Sequence, residues 1–280
     1  MSILIIGATG NIGRELSRAL IRKGQRPVLA VRDPEKARPL CGGRADYIRF
    51  DFNDPETFAP ALEGAKQCFF IAPHADPVPS VERFLQQALH LQQIIFSSGR
   101  TTGGLPGAPL NKVENLVKAS GIPYTLLRPG WFMQNFTGWI GDDIRQERRI
   151  IVPAGGSRTA FVDVHDIGAV AAAILLSPSS HTSKTYELVG REAFSHYEVA
   201  AMISEAVGEK VEYRPIEPAD YIKRMISKGW TKKAAEHTVY LYQLVQEGKE
   251  AEITPDIEKV LNHSPRRLSD FVEENKLKFS

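Results

Sequence analysis

The amino-acid sequence predicts an α/β protein: a doubly wound parallel sheet with a smaller, mainly helical C-terminal domain. Three observations carry this reading. Residues 2–24 run from a short apolar stretch through closely spaced glycines into a segment of helical period. Apolar runs and helix-period segments then alternate over residues 3–127, the pattern of a parallel sheet with crossover helices. Beyond residue 195 the chain is mostly amphipathic helix.

The first element is Ile3 to Ile6, a buried-type strand with no helical spacing. Gly7, Gly10 and Gly13 follow at once, and Ile12, Leu16, Ala19 and Leu20 then recur at helical spacing until Gly24. Gly7 permits a tight turn out of the strand. Gly10 lets a pyrophosphate approach the backbone, and Gly13 lets the helix pack closely on the sheet. The free N–H groups of Thr9, Gly10, Asn11, Ile12 and Gly13 would face the anion. The spacing is GxxGxxG rather than GxGxxG, so the context of strand and helix on either side carries the assignment.

Residues 27–31 form the second strand, ending at Arg32 where an acidic ribose ligand would stand in an NAD site. A guanidinium cannot accept a hydrogen bond but binds a 2′-phosphate bidentately, so NADP(H) is favoured over NAD(H). Lys36 and Arg14 are further candidates for that phosphate, and Asp33 reads as the cap of a short helix over 34–38. The third strand, 47–50, ends at Asp51 and Phe52. These either meet the adenine or serve as a turn residue and a core ring. Residues 55–62 are helical. The fourth strand, 68–72, ends at Ala72, Pro73 and His74, outside the carboxyl edge where ligands lie in open α/β sheets. His74 is the candidate catalytic residue by that position. A helix over 78–91, a strand over 93–98 ending in Ser97 and Ser98, a Gly- and Pro-rich loop over 99–109, a helix over 112–120 and a strand over 123–127 complete the alternation.

Trp131, Phe132, Met133, Phe136 and Trp139 then crowd together, with Asn135 the polar group among them. Such a cluster either packs between sheet and helix or lines an apolar substrate pocket. Trp131, Phe132, Asn135 and Phe136 are the candidate substrate-binding residues. Short strands are expected at 150–153, 159–162, 186–189 and 211–214. A helix over 163–176 would have Asp163 as its N-cap and Asp166 as the capping-box partner, which explains the aspartates beside His165 without catalysis. Residues 1–152 would form the cofactor domain, with 159–190 returning to the sheet, and residues 191–280 the smaller substrate domain. Trp230, Tyr240 and Tyr242 fall in that domain.

Of the 280 residues 42% are hydrophobic and 24% charged, and the net charge is +2, so no nucleic-acid or membrane-surface partner is indicated. Cys41 and Cys68 stand in unrelated contexts, which fits a reducing compartment, and no metal-ligand cluster occurs. No leader and no apolar run near ~18 residues is seen, so a cytoplasmic location is expected. A small-molecule substrate is the expected partner, with room for a homodimer.

The chain resembles the NmrA-like branch of the atypical short-chain dehydrogenase/reductases. The resemblance rests on GATGNIG at residues 7–13, VRDPEKA at 31–37, NKVENLVKASGIPYTLLRPGWFMQNF at 111–136 and FVDVHDIGAV at 161–170, and continues weakly through YELVG at 186–190. It implies a seven-stranded Rossmann sheet, NADP(H) across its carboxyl edge and a small domain forming the substrate cleft. Members include quinone reductases, reductases of plant phenolics and iminium reductases, while others are redox-sensing regulators without turnover. The wider superfamily uses a Tyr-x-x-x-Lys pair, the lysine four residues before a helix glutamate. If that glutamate is Glu114, the lysine position is Leu110 and the tyrosine position Pro106; placing Lys112 in the lysine role leaves Ala108 at the tyrosine. Either way both relay residues are missing, which leaves two expectations: a reductase whose acceptor, a quinone, iminium or enone, needs no such relay, or an NADP(H)-sensing regulator without turnover.

Overall fold

The computed structural model describes residues 2–73 and 76–280, and every strand expected between residues 3 and 127 forms. β1 (Ile3–Ile6) is buried along its length and leads through Gly7 into α1 (Asn11–Arg22). β2 (Val28–Val31), α2 (Pro34–Ala37), β3 (Asp46–Arg49), α3 (Phe58–Leu62), β4 (Gln67–Ile71), α4 (Pro77–Gln87), β5 (Gln93–Ser97), α5 (Arg100–Gly104), α6 (Pro109–Ala119) and β6 (Tyr124–Pro129) follow. Next come α7 (Gly141–Glu147), β7 (Arg149–Val152), β8 (Arg158–Thr159), α8 (Val164–Leu176) and β9 (Lys184–Leu188). The chain ends with β10 (Phe194–Ser195), α9 (His196–Val207), β11 (Glu212–Pro215), α10 (Pro218–Ser227), α11 (Lys232–Gln246), α12 (Asp256–Leu261) and α13 (Leu268–Glu274).

Seven of the described strands pair in the order β3–β2–β1–β4–β5–β6–β9, all parallel. The order reverses between β1 and β4, so the carboxyl ends of the central strands open on a topological switch point. The expected α/β Rossmann sheet is therefore present.

Two compact units divide the chain. The first comprises Met1–Pro129, Val164–Leu188 and Pro255–Ser264. Its core on one face of the sheet centres on Phe50, Phe58, Phe70, Phe84 and Phe96. On α1, Gly168 of α8 makes a backbone-close contact: a Cβ there would lie 2.7 Å from the Glu15 carbonyl carbon and the Leu16 nitrogen. The second unit comprises Gly130–Asp163, Val189–Thr254 and Pro265–Ser280. In it β7 pairs in parallel with β11, β8 pairs antiparallel with β10, and α9 starts on a capping box between Ser195 and Glu198. The strand expected over 159–162 is confined to Arg158–Thr159, followed by a single bridge from Val162 to Phe132.

A second element departs from the sequence reading. The Gly-rich stretch RTTGG at residues 100–104 is a helical turn, not a loop. Long-range charge contacts hold it. Arg100, 6% exposed, donates from Nε to Glu187 Oε2 at 3.2 Å. Arg128 grips the fully buried Glu114 with two bonds, Nε to Oε1 at 2.9 Å and Nη2 to Oε2 at 2.6 Å, and Nη2 reaches the Gly103 carbonyl at 3.3 Å. Hydrogen bonding to Glu114 raises the Arg128 guanidinium above its usual range. A Cβ on Gly103 would collide with Glu114 Oε1 and lie 2.5 Å from Ser98 Oγ, so the turn closes only on glycine.

Candidate active site

The carboxyl edge of the first unit's sheet gathers most of the expected cofactor residues. Gly7 ends β1 with φ of +89°, a conformation other residues rarely adopt. Its carbonyl accepts from the Gly10 N–H at 3.0 Å, which closes the turn. Gly13 is buried, and a Cβ there would overlap the Gly7 carbonyl and lie 2.7 Å from Ala8 Cα. Gly10 differs: it is exposed, has ordinary dihedrals, and its Cβ would meet only Gly7 O at 3.4 Å. Gly13 is thus a packing glycine, and Gly10 leaves open space outside the turn. Thr9 and Asn11 are exposed beside it, and Ile12 is buried beneath. α1 has no side-chain cap and no acidic residue in its first turn, so its N-terminal N–H groups and positive dipole end are uncompensated. Arg14 does not extend freely, since its Nε donates to the Thr9 carbonyl at 2.8 Å.

At the end of β2, Arg32 is exposed and makes no hydrogen bond or ion pair among the described residues. Asp33 caps α2 as expected: its Oδ1 accepts from the Lys36 N–H at 3.2 Å, and that bond lowers its carboxyl below the usual range. Lys36 is exposed and pairs with the same carboxylate at 3.4 Å. At the end of β3, Asp51 is half-buried and Oδ1 accepts from the Asn53 N–H at 2.9 Å, a turn arrangement. The Phe52 ring is buried edge-on to Phe50 and Phe84, so a ring expected to meet the adenine is committed to the core. Ala72 is buried and Pro73 half-buried after β4, and His74 lies outside the described residues. At the end of β5, the Ser97 and Ser98 hydroxyls are shut from solvent with no hydrogen-bond partner among the described residues. Such orphaned hydroxyls call for a missing partner.

Leu110 is half-buried and packs on the first unit's core, whereas Lys112 is exposed on the other side of α6 and Pro106 is exposed. Neither thiol is poised to react: burial raises both Cys41 and Cys68.

The expected substrate residues belong to the second unit. Trp131, Phe132 and Asn135 are half-buried there. Phe136 is fully buried against Phe161 and His196, so its ring is core rather than lining. The Asp163 carboxylate also accepts from Gln134 Nε2 at 2.6 Å and from Arg266 Nη1 at 2.8 Å. The residues that sequence reasoning missed are Arg128, Glu187 and Arg100, with Glu114 named only as an alignment marker and not as a buried ion-pair partner, and in the second unit Tyr221 and His196. A buried carboxylate in the middle of an apolar helix face, as at Glu114 between Val113 and Val117, was the available signal for the first group.

Residues 1–273 match the model of the NmrA-like family. The chain belongs to that family. It is 31% identical to Prestalk A differentiation protein A of Dictyostelium discoideum, over 98% of this chain and 92% of that protein. It is 30% identical to the NAD(P)H azoreductase of Xenophilus azovorans, over 97% of this chain and 96% of that one. Among solved structures it is similar to the NADPH-dependent quinone oxidoreductase QOR2 of Escherichia coli complexed with NADPH. The TM-score is 0.86 and the identity 25%, over 97% of this chain and 99% of that one. Among the described residues no helix is long and apolar enough to cross a membrane.

Proposed function

We propose that the protein is an NADPH-dependent reductase that delivers hydride to a flat apolar acceptor, a quinone, iminium or enone, without a Tyr–Lys proton relay. Two observations carry this: Gly10 leaves open space where α1 begins, and Leu110, at the lysine position that the family resemblance gives, packs on the first unit's core. NADPH, when bound, supplies the hydride. The chain's residues do the rest. The N–H groups of residues 9–13 hold the pyrophosphate against the α1 dipole. Arg32, assisted by Lys36, takes the 2′-phosphate. The Ser97 and Ser98 hydroxyls give hydrogen bonds at the β5 end. Asp51 sits beside the base, and Ala72 and Pro73 wall the edge. Trp131, Phe132 and Asn135 present an aromatic surface with one polar group to the acceptor.

A ketone reduced to an alkoxide needs a positioned acid, worth about 10²–10⁴-fold. An iminium becomes a neutral amine and a quinone a delocalised phenolate, so these acceptors need none. The quinone oxidoreductase neighbour supports a quinone acceptor, and the azoreductase relative supports NAD(P)H-dependent reduction in general. The test is an acceptor screen with NADPH, in which quinones turn over, simple ketones do not, and Lys112→Ala changes little. A fall of more than about a hundredfold in His74→Ala with NADPH binding intact would establish a protein acid and refute the relay-free mechanism.

The Dictyostelium relative, named for differentiation rather than a reaction, favours a second reading: an NADP(H)-sensing regulator. No oxidation of bound NADPH by any quinone, iminium or enone would put that reading first.

A further inference from the structure

The second unit holds a connected set of rings with orphaned polar atoms behind it. Trp131 and Tyr242 have ring centroids 4.6 Å apart. Trp139 stands edge-on to Tyr242 and Tyr221, both at 6.5 Å, and to Trp230 at 5.8 Å. The three indoles are half-buried, whereas Tyr221 and Tyr242 are 0% and 1% exposed with centroids 6.0 Å apart. Neither phenol hydroxyl has a hydrogen-bond partner among the described residues. The same holds for both ring nitrogens of His196, which is 1% exposed with its centroid 6.1 Å from that of Tyr242. Buried polar groups are almost always paired, and phenylalanine would fill the same space without orphaning a hydroxyl. Four orphaned atoms around one ring therefore point to a partner that the chain itself does not supply.

We infer that Tyr221 and Tyr242 form a polar subsite behind the tryptophan wall, and that it takes the oxygen of a flat, uncharged carbonyl compound, a quinone or conjugated ketone. The inference rests on the reductase reading for the ligand's role and narrows its acceptor. Each phenol brings an O–H donor, and two donors match the two lone pairs of one carbonyl oxygen. Burial pushes both phenols well above their ordinary range and lowers His196 to about 3, so all three are neutral at ordinary pH. The carboxylate that acts on Tyr221, Asp143, is already held by Arg224 and Lys228. A charged ligand thus finds no free counter-charge among these groups, whereas a neutral carbonyl finds donors. The half-buried Trp131 indole leans on the Tyr242 ring at an interplanar angle of 38°, so in the proposed complex that indole moves aside for the flat ligand.

Every tryptophan of the chain lies in this wall. Tryptophan emission of the cofactor-free protein is therefore a direct readout, titrated with naphthoquinone and, as the oxygen-free control, naphthalene. Saturable quenching by both is expected. Tyr242→Phe and Tyr221→Phe should each weaken naphthoquinone about 5- to 100-fold and leave naphthalene unchanged. Unchanged naphthoquinone affinity in both variants, or quenching that never saturates, overturns the inference. Both variants remove an orphaned hydroxyl and are expected to melt at or above the unmutated protein; should one not fold, the other carries the test. Failure of the reductase reading looks different: naphthoquinone binds through the hydroxyls, yet oxidises no NADPH.

Discussion

His196 gives the protein an acid limit that can be calculated. Its ring is closed in by Phe136, Phe161, Tyr213 and Tyr242. Burial lowers its pKa from 6.5 to about 3. The fold therefore prefers the neutral ring, and the unfolded chain takes up the proton first. The stabilisation is complete above the unfolded pKa of 6.5 and is lost as pH falls from there toward 3. Per pH unit in that window one proton costs about 1.4 kcal/mol. Between pH 7 and pH 5 the His196 contribution is about 2 kcal/mol, and by pH 4 about 3 kcal/mol. Other groups titrate too, so the measurement is a difference. Urea unfolding of the unmutated protein and of His196→Phe should be compared at pH 7 and pH 5. The unmutated protein should lose about 2 kcal/mol more than the variant over that interval. Identical pH dependence in the two proteins would mean that a hydrogen-bond acceptor or water reaches the protonated His196 ring in the folded state, and would overturn the desolvation account.

Four further outcomes follow from the first unit. Gly10→Val should keep the melting profile and abolish NADPH binding in calorimetric titration, whereas Gly13→Ala should destabilise by about 1–3 kcal/mol, because its methyl overlaps the Gly7 carbonyl. Arg32→Glu should reverse the preference for NADPH over NADH, a change of about 10- to 100-fold in relative affinity; equal affinities in the unmutated protein would remove the role given to Arg32. Glu114→Leu should cost about 3–5 kcal/mol in denaturant unfolding, since it leaves the partly buried Arg128 with only the Gly103 carbonyl and a longer approach to Glu187 at 3.9 Å; a loss below about 1 kcal/mol would show that Glu187 or solvent compensates the guanidinium.

The sheet was legible because its strands are apolar runs bounded by glycine, and Ile3 to Ile6 next to three glycines leaves few alternatives. The cap at Asp33 was legible for the same local reason. What escaped depends on residues far apart in the chain. Nothing in RTTGG favours a helical turn; Glu187, 87 residues from Arg100, holds it. Rings were the other blind spot. Phe52 and Phe132 look alike in sequence, yet one is buried among phenylalanines and the other is half-buried in the second unit. Hydrophobic pattern says that a ring is buried, not whether a ligand shares the burial. Tyr240 and Tyr242, two residues apart on α11, make the point: the first is 37% exposed and the second 1%.

The weave of the chain also governs how the protein can be made. It passes between its two units five times, and the last piece of the first unit is Pro255–Ser264. The Asp256 carboxylate there accepts from the Glu187 N–H of β9 at 3.0 Å. During synthesis the sheet must therefore wait, open at β6 until β9 emerges and unbraced until α12 does. Such an edge invites pairing with other chains. A fragment cut at Pro129 would carry the whole glycine turn and most of the sheet and still keep that open edge. The cofactor unit thus cannot be moved between proteins as a cassette; transplanting it requires three separate segments, joined through its neighbour.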